Sequence, residues 1–367
     1  MKRTLLFTQI YPPRQGGAAT FYSNLVGTNQ NEMDFFILSE YDSSEKVVDC
    51  CNGDVLYRIL PKAGWLPRLI QIPLEVLILF LVSAYIVTTK NIDIIHSHAS
   101  RGSIVGLSAT ATGFGIPIIY DCRDTGFRPR VIKMGPTPVW FSCASNIDQI
   151  LINNRISEDR IVRLPVVNPE YVRKYRNAEI PEKPTELVYI GSIVERKGVF
   201  VLLAALETIR ERGADMHLTV IGNGPAMSAF KKQCRNRGLN DHVTTTGSLS
   251  HDETLRRLAE SDILVLPSES EGVPRVVLEG QDVGTPVVAT AVGGIPDVIN
   301  HEENGMLAEQ TAESVAKNIL RLVRDDKLYR TIVDNGIESA NERSWERVGE
   351  QLREGYSRAS SNKRQTF

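Results

Sequence analysis

Short apolar runs rich in β-branched residues alternate with longer helical stretches along the whole chain. The first half contains RTLLFTQI, DFFILSE, VLYRIL, IDIIHSH, IPIIYDC, VWFSCAS and RIVRLP, and the second half contains ELVYIGS, MHLTVIG, HVTTTGS, DILVLPS and TPVVATA. Helical stretches such as VFVLLAALETIRERG separate these runs. Strands that alternate with helices are typical of parallel sheets with crossover helices. The pattern therefore predicts an α/β protein.

The alternation is interrupted by the polar, proline-bearing stretch RKYRNAEIPEKPTE, and it restarts afterwards. A chain of 367 residues also exceeds the usual size of a single core. We therefore predict a first α/β domain at 1–170 and a second at 171–343.

The last predicted helix covers residues 344–358 and begins with Ser344, a suitable N-cap. Its apolar and aromatic residues recur every three or four positions, at Trp345, Val348, Leu352 and Tyr356. Such a stripe needs a surface to bury it. Residues 359–367 end without apolar periodicity, and we expect them to be a frayed tail.

Composition gives no global attraction toward nucleic acid or an anionic membrane, because 42 Lys and Arg against 44 Asp and Glu leave a net charge of −2. The five cysteines are odd in number and form no CxxC pair, so neither a disulfide framework nor a zinc site is indicated. The N-terminal apolar stretch is too short for a signal peptide and is typical of a first strand. These features predict a cytoplasmic protein that does not bind nucleic acid.

Glycines follow several predicted strands, where open α/β sheets bind their ligands. Gly16 and Gly17 precede the first crossover helix, whose free backbone N–H groups favour a phosphate oxygen, although a tight turn would explain the two glycines equally well. GNGPAM, at 222–227, stops after its second glycine, which argues against a dehydrogenase. The chain has no GxxxxGK[ST], which excludes the P-loop class.

Two carboxylates stand eight residues apart in EGVPRVVLEG, after the strand DILVLPS. Pro274 suits the first turn of a helix, which would place Glu271 in the loop and Glu279 on the helix. A buried glutamate is costly unless it accepts hydrogen bonds, and two ribose hydroxyls would supply two donors. The amides of Gly272 and Val273 would point toward a phosphate. The alternative is that Glu279 pairs with an arginine or lies at the surface.

His96 and His98 lie two residues apart on a predicted strand and share one side of it. No third metal ligand and no DxD motif is evident in the sequence, so we predict no metal site. His98, near the end of the strand, is predicted to line the acceptor or donor cleft. His96 is compatible with simple packing.

LIQIPLEVLILFLVSAYIV, at 69–87, is the most apolar stretch of the chain. Gln71, Pro73 and Glu75 argue against a membrane span, and a helix starting near Pro73 has about 15 residues, which is short for a bilayer. We expect a helix packed beneath the sheet. Contact with a membrane surface, favoured by the nearby WLPR, is the alternative.

The second half resembles the retaining glycosyltransferases of family 4, which have the GT-B fold. The resemblance rests on GSIVERKG, VIGNGP, TGSLSHDETLRRLAESDILVLPSESEGVPRVVLEGQDVGTPVVATAVGGIPDVI and SWERV. In this stretch Glu271 and Glu279 match the family's E-x7-E element. YPPRQGGA, HSHAS and IPIIYDCRD give a less specific match in the first half.

This resemblance implies two Rossmann-like domains whose parallel sheets face a central cleft, with the helix at 344–358 crossing back to the first domain. It implies that Glu279 binds the donor ribose, that Glu271 contacts the donor sugar and that Lys197 neutralises the diphosphate. The remaining donor-binding and catalytic candidates are Gly16, Gly17, Gly191, Gly272, Val273, Arg196 and His98. The implied transfer needs no cofactor and no metal.

Several positions depart from the family pattern. Ser192 follows Gly191 where many relatives carry arginine, and Arg196 is expected to compensate. Arg123 and Asp124 stand where His-Asp is common, so we assign them to the acceptor side without transferring a histidine role. GQDVG replaces the usual small apolar residues after Glu279, and Gly280 inside a helix costs about 1 kcal/mol relative to alanine.

The resemblance predicts a retaining glycosyltransferase that moves a sugar from a nucleoside diphosphate sugar to a hydroxyl group of a glycan or a lipid-linked acceptor. Family members that glycosylate lipid carriers make contact with the inner membrane face a further expectation. Two alternatives remain, a GT-B epimerase that acts on the nucleotide sugar itself and a noncatalytic nucleotide-sugar-binding protein.

Overall fold

The computed structural model describes residues 2–12, 17–29, 31–41, 48–51, 54–61, 68–99, 101–123, 138–177 and 181–361. The chain divides into two compact units, the first comprising Met1–Val167 together with Ser344–Phe367, and the second comprising Asn168–Arg343. The division falls three residues before the boundary predicted from the sequence.

In its described part, the first unit has an eight-stranded sheet ordered β3-β4-β2-β1-β5-β6-β7-β8. Its strands are β1 (Lys2–Thr8), β2 (Met33–Tyr41), β3 (Val48–Cys51), β4 (Asp54–Pro61), β5 (Ile94–His98), β6 (Ile118–Cys122), β7 (Val139–Ser142) and β8 (Ile161–Arg163). Neighbouring strands are parallel except for the edge pair β3 and β4, which is antiparallel. The sequence predicted parallel pairing throughout and did not predict β3, because a four-residue edge strand carries little periodicity.

Five described helices cover this sheet: α1 (Gly17–Asn29), α2 (Arg68–Lys90), α3 (Arg101–Phe114), α4 (Ser145–Asn153) and the C-terminal α11 (Trp345–Ser361). The predicted stripe of α11 is buried in the core of the first unit beside Phe21 and Phe141. A Cβ atom at Gly355 would lie 2.2 Å from the Phe141 ring, so the glycine lets helix and sheet approach closely. α11 continues three residues beyond the predicted end at 358.

Helix α2 begins at Arg68 rather than near Pro73, so the proline lies inside the helix. One side of α2 packs on α3, where Ser83 Oγ lies 2.7 Å from Thr110 Oγ1. The opposite side is exposed, so the expectation of a helix buried beneath the sheet is met on one side only. Among the described residues, Ile72–Lys90 alone is long and apolar enough to cross a membrane, on length and composition, and 22% of its most apolar window is buried.

The second unit has a six-stranded parallel sheet ordered β11-β10-β9-β12-β13-β14. Its strands are β9 (Glu186–Ile190), β10 (His217–Ile221), β11 (Val243–Gly247), β12 (Ile263–Leu266), β13 (Val287–Thr290) and β14 (Met306–Ala308). Its helices are α5 (Val199–Glu211), α6 (Met227–Asn236), α7 (His251–Ala259), α8 (Arg275–Val283), α9 (Ala312–Arg324) and α10 (Asp326–Glu342). The sequence pattern missed β14, which is three residues long.

Gly280 lies in the middle of α8, at a position where the sequence alone offers no reason for a glycine. A Cβ atom there would come within 2.9 Å of the Val287 side chain on β13 and 3.2 Å of Leu264 on β12. The glycine therefore lets α8 lie close against the sheet, which offsets its poor helix propensity.

Candidate functional site

Lys197 lies at the end of a 3-10 turn, Glu195–Lys197, that follows β9. The next residue, Gly198, has a φ of 71° and faces the carbonyl oxygen of Pro267 so closely that a Cβ atom would lie 1.8 Å from it. Only glycine fits this approach. The contact fixes the Lys197 turn against the carboxyl end of β12.

The ammonium group of Lys197 lies 2.5 Å from Oε1 of Glu271. Ser268 Oγ donates a second hydrogen bond to the same oxygen, at 2.7 Å. The side chains of Lys197 and Glu271 are 16% and 8% exposed, so water screens this ion pair only in part. The structure thus brings together two of the residues predicted to contact the donor.

The loop that carries Glu271 is supported by the glycine pair after β13. Gly293 has a φ of 61°, and a Cβ atom there would lie 1.8 Å from the carbonyl oxygen of Glu271. The backbone N–H of Gly294 donates to the carbonyl of Gly272 at 2.8 Å. The paired glycines of the predicted motif therefore hold the backbone of the Glu271 loop in place.

Glu279 is buried on α8, which begins directly after Pro274. Its Oε1 atom lies 2.9 Å from Nε2 of His251 and 3.3 Å from Nη2 of Arg275. The alternative considered from the sequence, pairing with an arginine, is therefore present in this structure. It does not exclude a ribose role, because the carboxylate has further acceptor positions.

The other predicted donor-binding residues lie around the same strand ends. Gly191 directly follows β9, where its backbone N–H donates to Ile221 at 3.0 Å. Gly272 and Val273 are half-buried between Glu271 and α8. Arg196 is exposed, and its carbonyl accepts from the N–H of Glu269 at 2.8 Å.

In the first unit, the predicted acceptor-side residue Arg123 follows β6 and belongs to a buried polar cluster. Its Nε donates to Oδ2 of Asp121 at 3.0 Å, and Tyr22 donates to the same oxygen at 3.0 Å. His96 Nε2 lies 3.7 Å from that oxygen, while its Nδ1 lies 3.0 Å from the Tyr356 hydroxyl on α11. His96 is thus a packed, hydrogen-bonded core residue.

The pKa values of Asp121 and Arg123 depend on each other's charge, because both groups lie away from water. Burial by itself would raise the pKa of Asp121, but the Arg123 charge and the nearby His96 ring hold that pKa below its ordinary value. Burial opposes the charge on Arg123, yet Asp121 raises the pKa of the guanidinium. The two residues therefore form an ionised buried pair.

The guanidinium of Arg123 also lies on the ring of Phe21, with Cζ 3.4 Å from the ring centroid. Phe21 in turn contacts Trp345 of α11, with ring centroids 5.5 Å apart. Among the described residues, neither Nη1 nor Nη2 of Arg123 has a hydrogen-bond partner. The side chain thus keeps two donors for a further group while stacking fixes its plane.

His98 ends β5 and is half-buried, with its ring 5.8 Å from that of Tyr22. Gly17 is the first residue of α1. Gly16 and Asp124 lie outside the described residues. The first unit therefore brings His98 and Arg123 to adjacent strand ends, next to α1.

The sequence reasoning missed His251, Ser268, Asp121 and Tyr22. His251 and Ser268 stand inside the motif that carries the resemblance, and Asp121 directly precedes Cys122 and Arg123. Spacing gives no signal for His251 and Tyr22, because their partners Glu279 and Asp121 are far away in sequence. Ser268 and Asp121 lie within three residues of their partners Glu271 and Arg123, but no local pattern predicts these hydrogen bonds. Position within a matched motif is the signal that would have drawn attention to His251 and Ser268, and the less specific motif IPIIYDCRD contains Asp121.

Residues 173–339, nearly the whole second unit, match the family described as glycosyl transferases group 1. An uncharacterized glycosyltransferase of Methanocaldococcus jannaschii is 27% identical over 97% of this chain and 98% of its own length. These matches agree with the family predicted from the sequence.

Two solved structures are similar over nearly the whole chain. Sucrose-phosphate synthase from Thermosynechococcus elongatus has a TM-score of 0.79 and 18% identity, covering 97% of this chain and 98% of that one. HepE from Anabaena, solved in complex with UDP-glucose, has a TM-score of 0.75 and 16% identity, covering 97% of this chain and 100% of that one. At these identities the likeness shows the fold alone, and it confirms the predicted GT-B fold.

Proposed function

We propose that this chain, whose second unit matches the family described as glycosyl transferases group 1, transfers a sugar from a nucleoside diphosphate sugar to a hydroxyl acceptor in glycan, polysaccharide or glycolipid assembly. The observation that carries the proposal is the largely buried pair of Lys197 and Glu271, which glycine contacts fix at the carboxyl ends of β9 and β12. Strand ends of this kind are where α/β sheets bind nucleotides.

Lys197 would supply positive charge to the diphosphate. When the glycosidic bond breaks, negative charge on the leaving diphosphate increases, so a lysine held beside it stabilises the transition state more than the bound substrate. In this proposal the lysine does the work without a metal. Glu271, which accepts from Lys197 here, would contact a hydroxyl of the donor sugar once the lysine turns to the diphosphate.

Glu279 would bind the ribose. Its burial on α8 gives a carboxylate of low exposure, and two vicinal hydroxyls could donate to it. The amides of Gly272 and Val273, in the loop before α8, would face the phosphates. HepE, which shares the fold, was solved with UDP-glucose, in accordance with a nucleotide-sugar donor.

We also propose that the transfer retains the anomeric configuration. A leaving phosphate oxygen on the same face would then accept the proton of the acceptor hydroxyl, so that no protein base is needed. On the acceptor side, Arg123 offers Nη1 and Nη2, which have no hydrogen-bond partner in the described part of the chain, and His98 lies at the next strand end.

We also propose that the exposed side of α2 contacts the inner face of a membrane from the cytoplasm. Leu77, Leu81 and Tyr85 on that side are 53%, 57% and 64% exposed. Basic residues stand at both ends of the helix, Arg68 and Lys90, and Glu75 is the single acid between residues 62 and 90. An apolar stripe between positive ends fits an anionic bilayer surface.

The donor proposal is tested with the purified full chain against UDP-, GDP- and ADP-sugars. A true donor should raise the melting temperature, because a ligand that binds the folded state stabilises it. Glu279→Gln should remove most of that rise while leaving the ligand-free melting temperature near that of the wild type. A panel without any stabilising sugar nucleotide would contradict the proposal.

Product analysis then separates the three functions. A new glycoside formed from donor and acceptor supports the transferase. Conversion of the donor sugar without acceptor identifies an epimerase, and tight binding without turnover identifies a noncatalytic binding protein.

A further inference from the structure

Among the residues that the structure describes, the carboxylate of Glu279 has one side-chain hydrogen bond. His251 Nε2 lies 2.9 Å from Oε1. Arg275 lies 3.3 Å away, but its Nη2 makes no hydrogen bond with the described residues, so it contributes charge rather than direction. The plane of the Glu279 carboxylate therefore depends on His251.

His251 is itself fixed from two sides. It is the first residue of α7, whose N-cap Ser250 accepts from the N–H of Glu253 at 3.2 Å. Its other ring nitrogen, Nδ1, lies 2.8 Å from the hydroxyl of Tyr171, and the two rings meet edge to face. An imidazole that is 38% exposed would otherwise rotate into water.

The direction of the hydrogen bonds follows from the carboxylate, which can only accept. Nε2 must therefore carry the proton and donate to Glu279. In the neutral imidazole Nδ1 then accepts from the Tyr171 hydroxyl. Because that hydroxyl can also accept, the carboxylate of Glu279 selects the tautomer, and Tyr171 fixes the orientation of the ring.

We infer that His251 is a positioning residue that orients Glu279 for the ribose hydroxyls, with Tyr171 holding the imidazole ring in the required orientation. The inference rests on the proposed nucleotide-sugar function. To that function the inference adds a chain of hydrogen bonds, Tyr171–His251–Glu279, which joins the start of the second unit to helices α7 and α8. His251 does not touch the reacting atoms.

The test compares affinities of the full chain for UDP, GDP and ADP with those for their 2′,3′-dideoxy forms, measured by calorimetry. Taking the nucleotide that binds most tightly, His251→Ala should weaken its binding about tenfold, the worth of a hydrogen bond to a charged group. The affinity for the dideoxy form should be the same in His251→Ala and the wild type, because this form presents no hydroxyls to Glu279. In turnover, KM should rise while kcat changes little.

Conservative variants test whether the hydrogen bonds of His251 and Tyr171 account for the effect on affinity. His251→Gln, which keeps an N–H donor near the Nε2 position, should restore most of the affinity, and Tyr171→Phe should give a smaller loss in the same direction. His217→Ala is the matched control, since His217 is a histidine of the same unit that lies beside Thr244 instead of Glu279. It should leave both affinities unchanged.

The outcomes separate the inference from the proposed function. If Glu279→Gln weakens ribonucleotide binding alone but His251→Ala leaves it intact, the positioning role is wrong and the ribose site stands. Equal losses for ribonucleotide and dideoxynucleotide in His251→Ala would show a merely structural role. If Glu279→Gln itself shows no ribose-dependent loss, the ribose assignment fails, and the positioning role fails with it.

Discussion

Lys197 donates to Glu271 across 2.5 Å, and this pair joins the turn after β9 to the loop after β12. The two residues are 74 positions apart in the sequence. The carboxylate and Ser268 hold the two side chains in place, so an anion that replaces the carboxylate as partner would meet an ammonium group already positioned there. The pair therefore holds the ammonium group of Lys197 beside the strand ends at which we propose that the diphosphate binds.

Lys197→Ala should lower kcat by a hundredfold or more while weakening nucleotide affinity far less. Negative charge on the leaving diphosphate increases toward the transition state, where removal of one positioned donor typically costs about 3–4 kcal/mol. Steady-state kinetics together with calorimetric nucleotide binding checks this. Lys231→Ala, at an exposed position of α6, serves as the control. A loss of affinity equal to the loss of kcat/KM would contradict the assignment.

Trp345→Ala should destabilise the first unit by about 3–5 kcal/mol, the usual cost of removing a large buried aromatic side chain. Turnover should also fall, because Trp345 supports Phe21, on which Arg123 lies. Nucleotide affinity should persist, since Lys197 and Glu279 belong to the second unit.

Tryptophan fluorescence measures this stability well, because all three tryptophans, at 65, 140 and 345, belong to the first unit, and the variant keeps two of them. Arg347→Ala, on the exposed side of the same helix, should change neither stability nor turnover. Unchanged turnover in a folded Trp345→Ala protein would show that α11 does not support the acceptor side.

The stability of the first unit should depend on Asp121 at acid pH. Its pKa is lowered in the folded state, so its stabilisation is complete above the unfolded value of about 4 and is lost as the pH falls from there toward the folded pKa. Asp121→Asn should flatten that part of the pH profile. At neutral pH it should cost about 3–5 kcal/mol, since Arg123 would remain buried without its partner.

Urea unfolding followed by tryptophan fluorescence between about pH 3 and pH 7 measures this difference. Asp159→Asn is the control, because the Asp159 side chain is largely exposed. If the wild type and Asp121→Asn have profiles of the same slope below about pH 4, the buried ionised pair does not contribute in the way proposed.

The exposed stripe of α2 should bind anionic lipid. Co-sedimentation with phosphatidylglycerol vesicles should retain the wild-type protein, and vesicles of phosphatidylcholine alone should retain less. Leu77→Glu combined with Leu81→Glu should abolish retention without unfolding the chain, because both side chains are largely exposed. Ser357→Glu, on the exposed side of α11, should bind like the wild type. Retention of the double variant on anionic vesicles would exclude the stripe as the lipid contact.

The sequence predicted the class of fold, most of the strands and the residues that carry the family resemblance. Periodicity of apolar residues is a local property, so it determines parallel α/β architecture without knowledge of distant contacts. The family resemblance likewise pointed to Lys197, Glu271 and Glu279 as a group. Short edge elements such as β3 and β14 were missed because three or four residues do not establish a period.

Tertiary structure decided which partners these residues have. Gly280 looked unfavourable in a helix, and the Val287 side chain opposite it explains why it is needed there. In the same GQDVG stretch Asp282 accepts from Asn168 and Gln281 accepts from Arg343, so both chain connections to the first unit begin beside α8. The pairing of Glu279 with His251 and that of Lys197 with Glu271 follow the same principle. Each joins residues brought together by strand order and close packing, which no local pattern records.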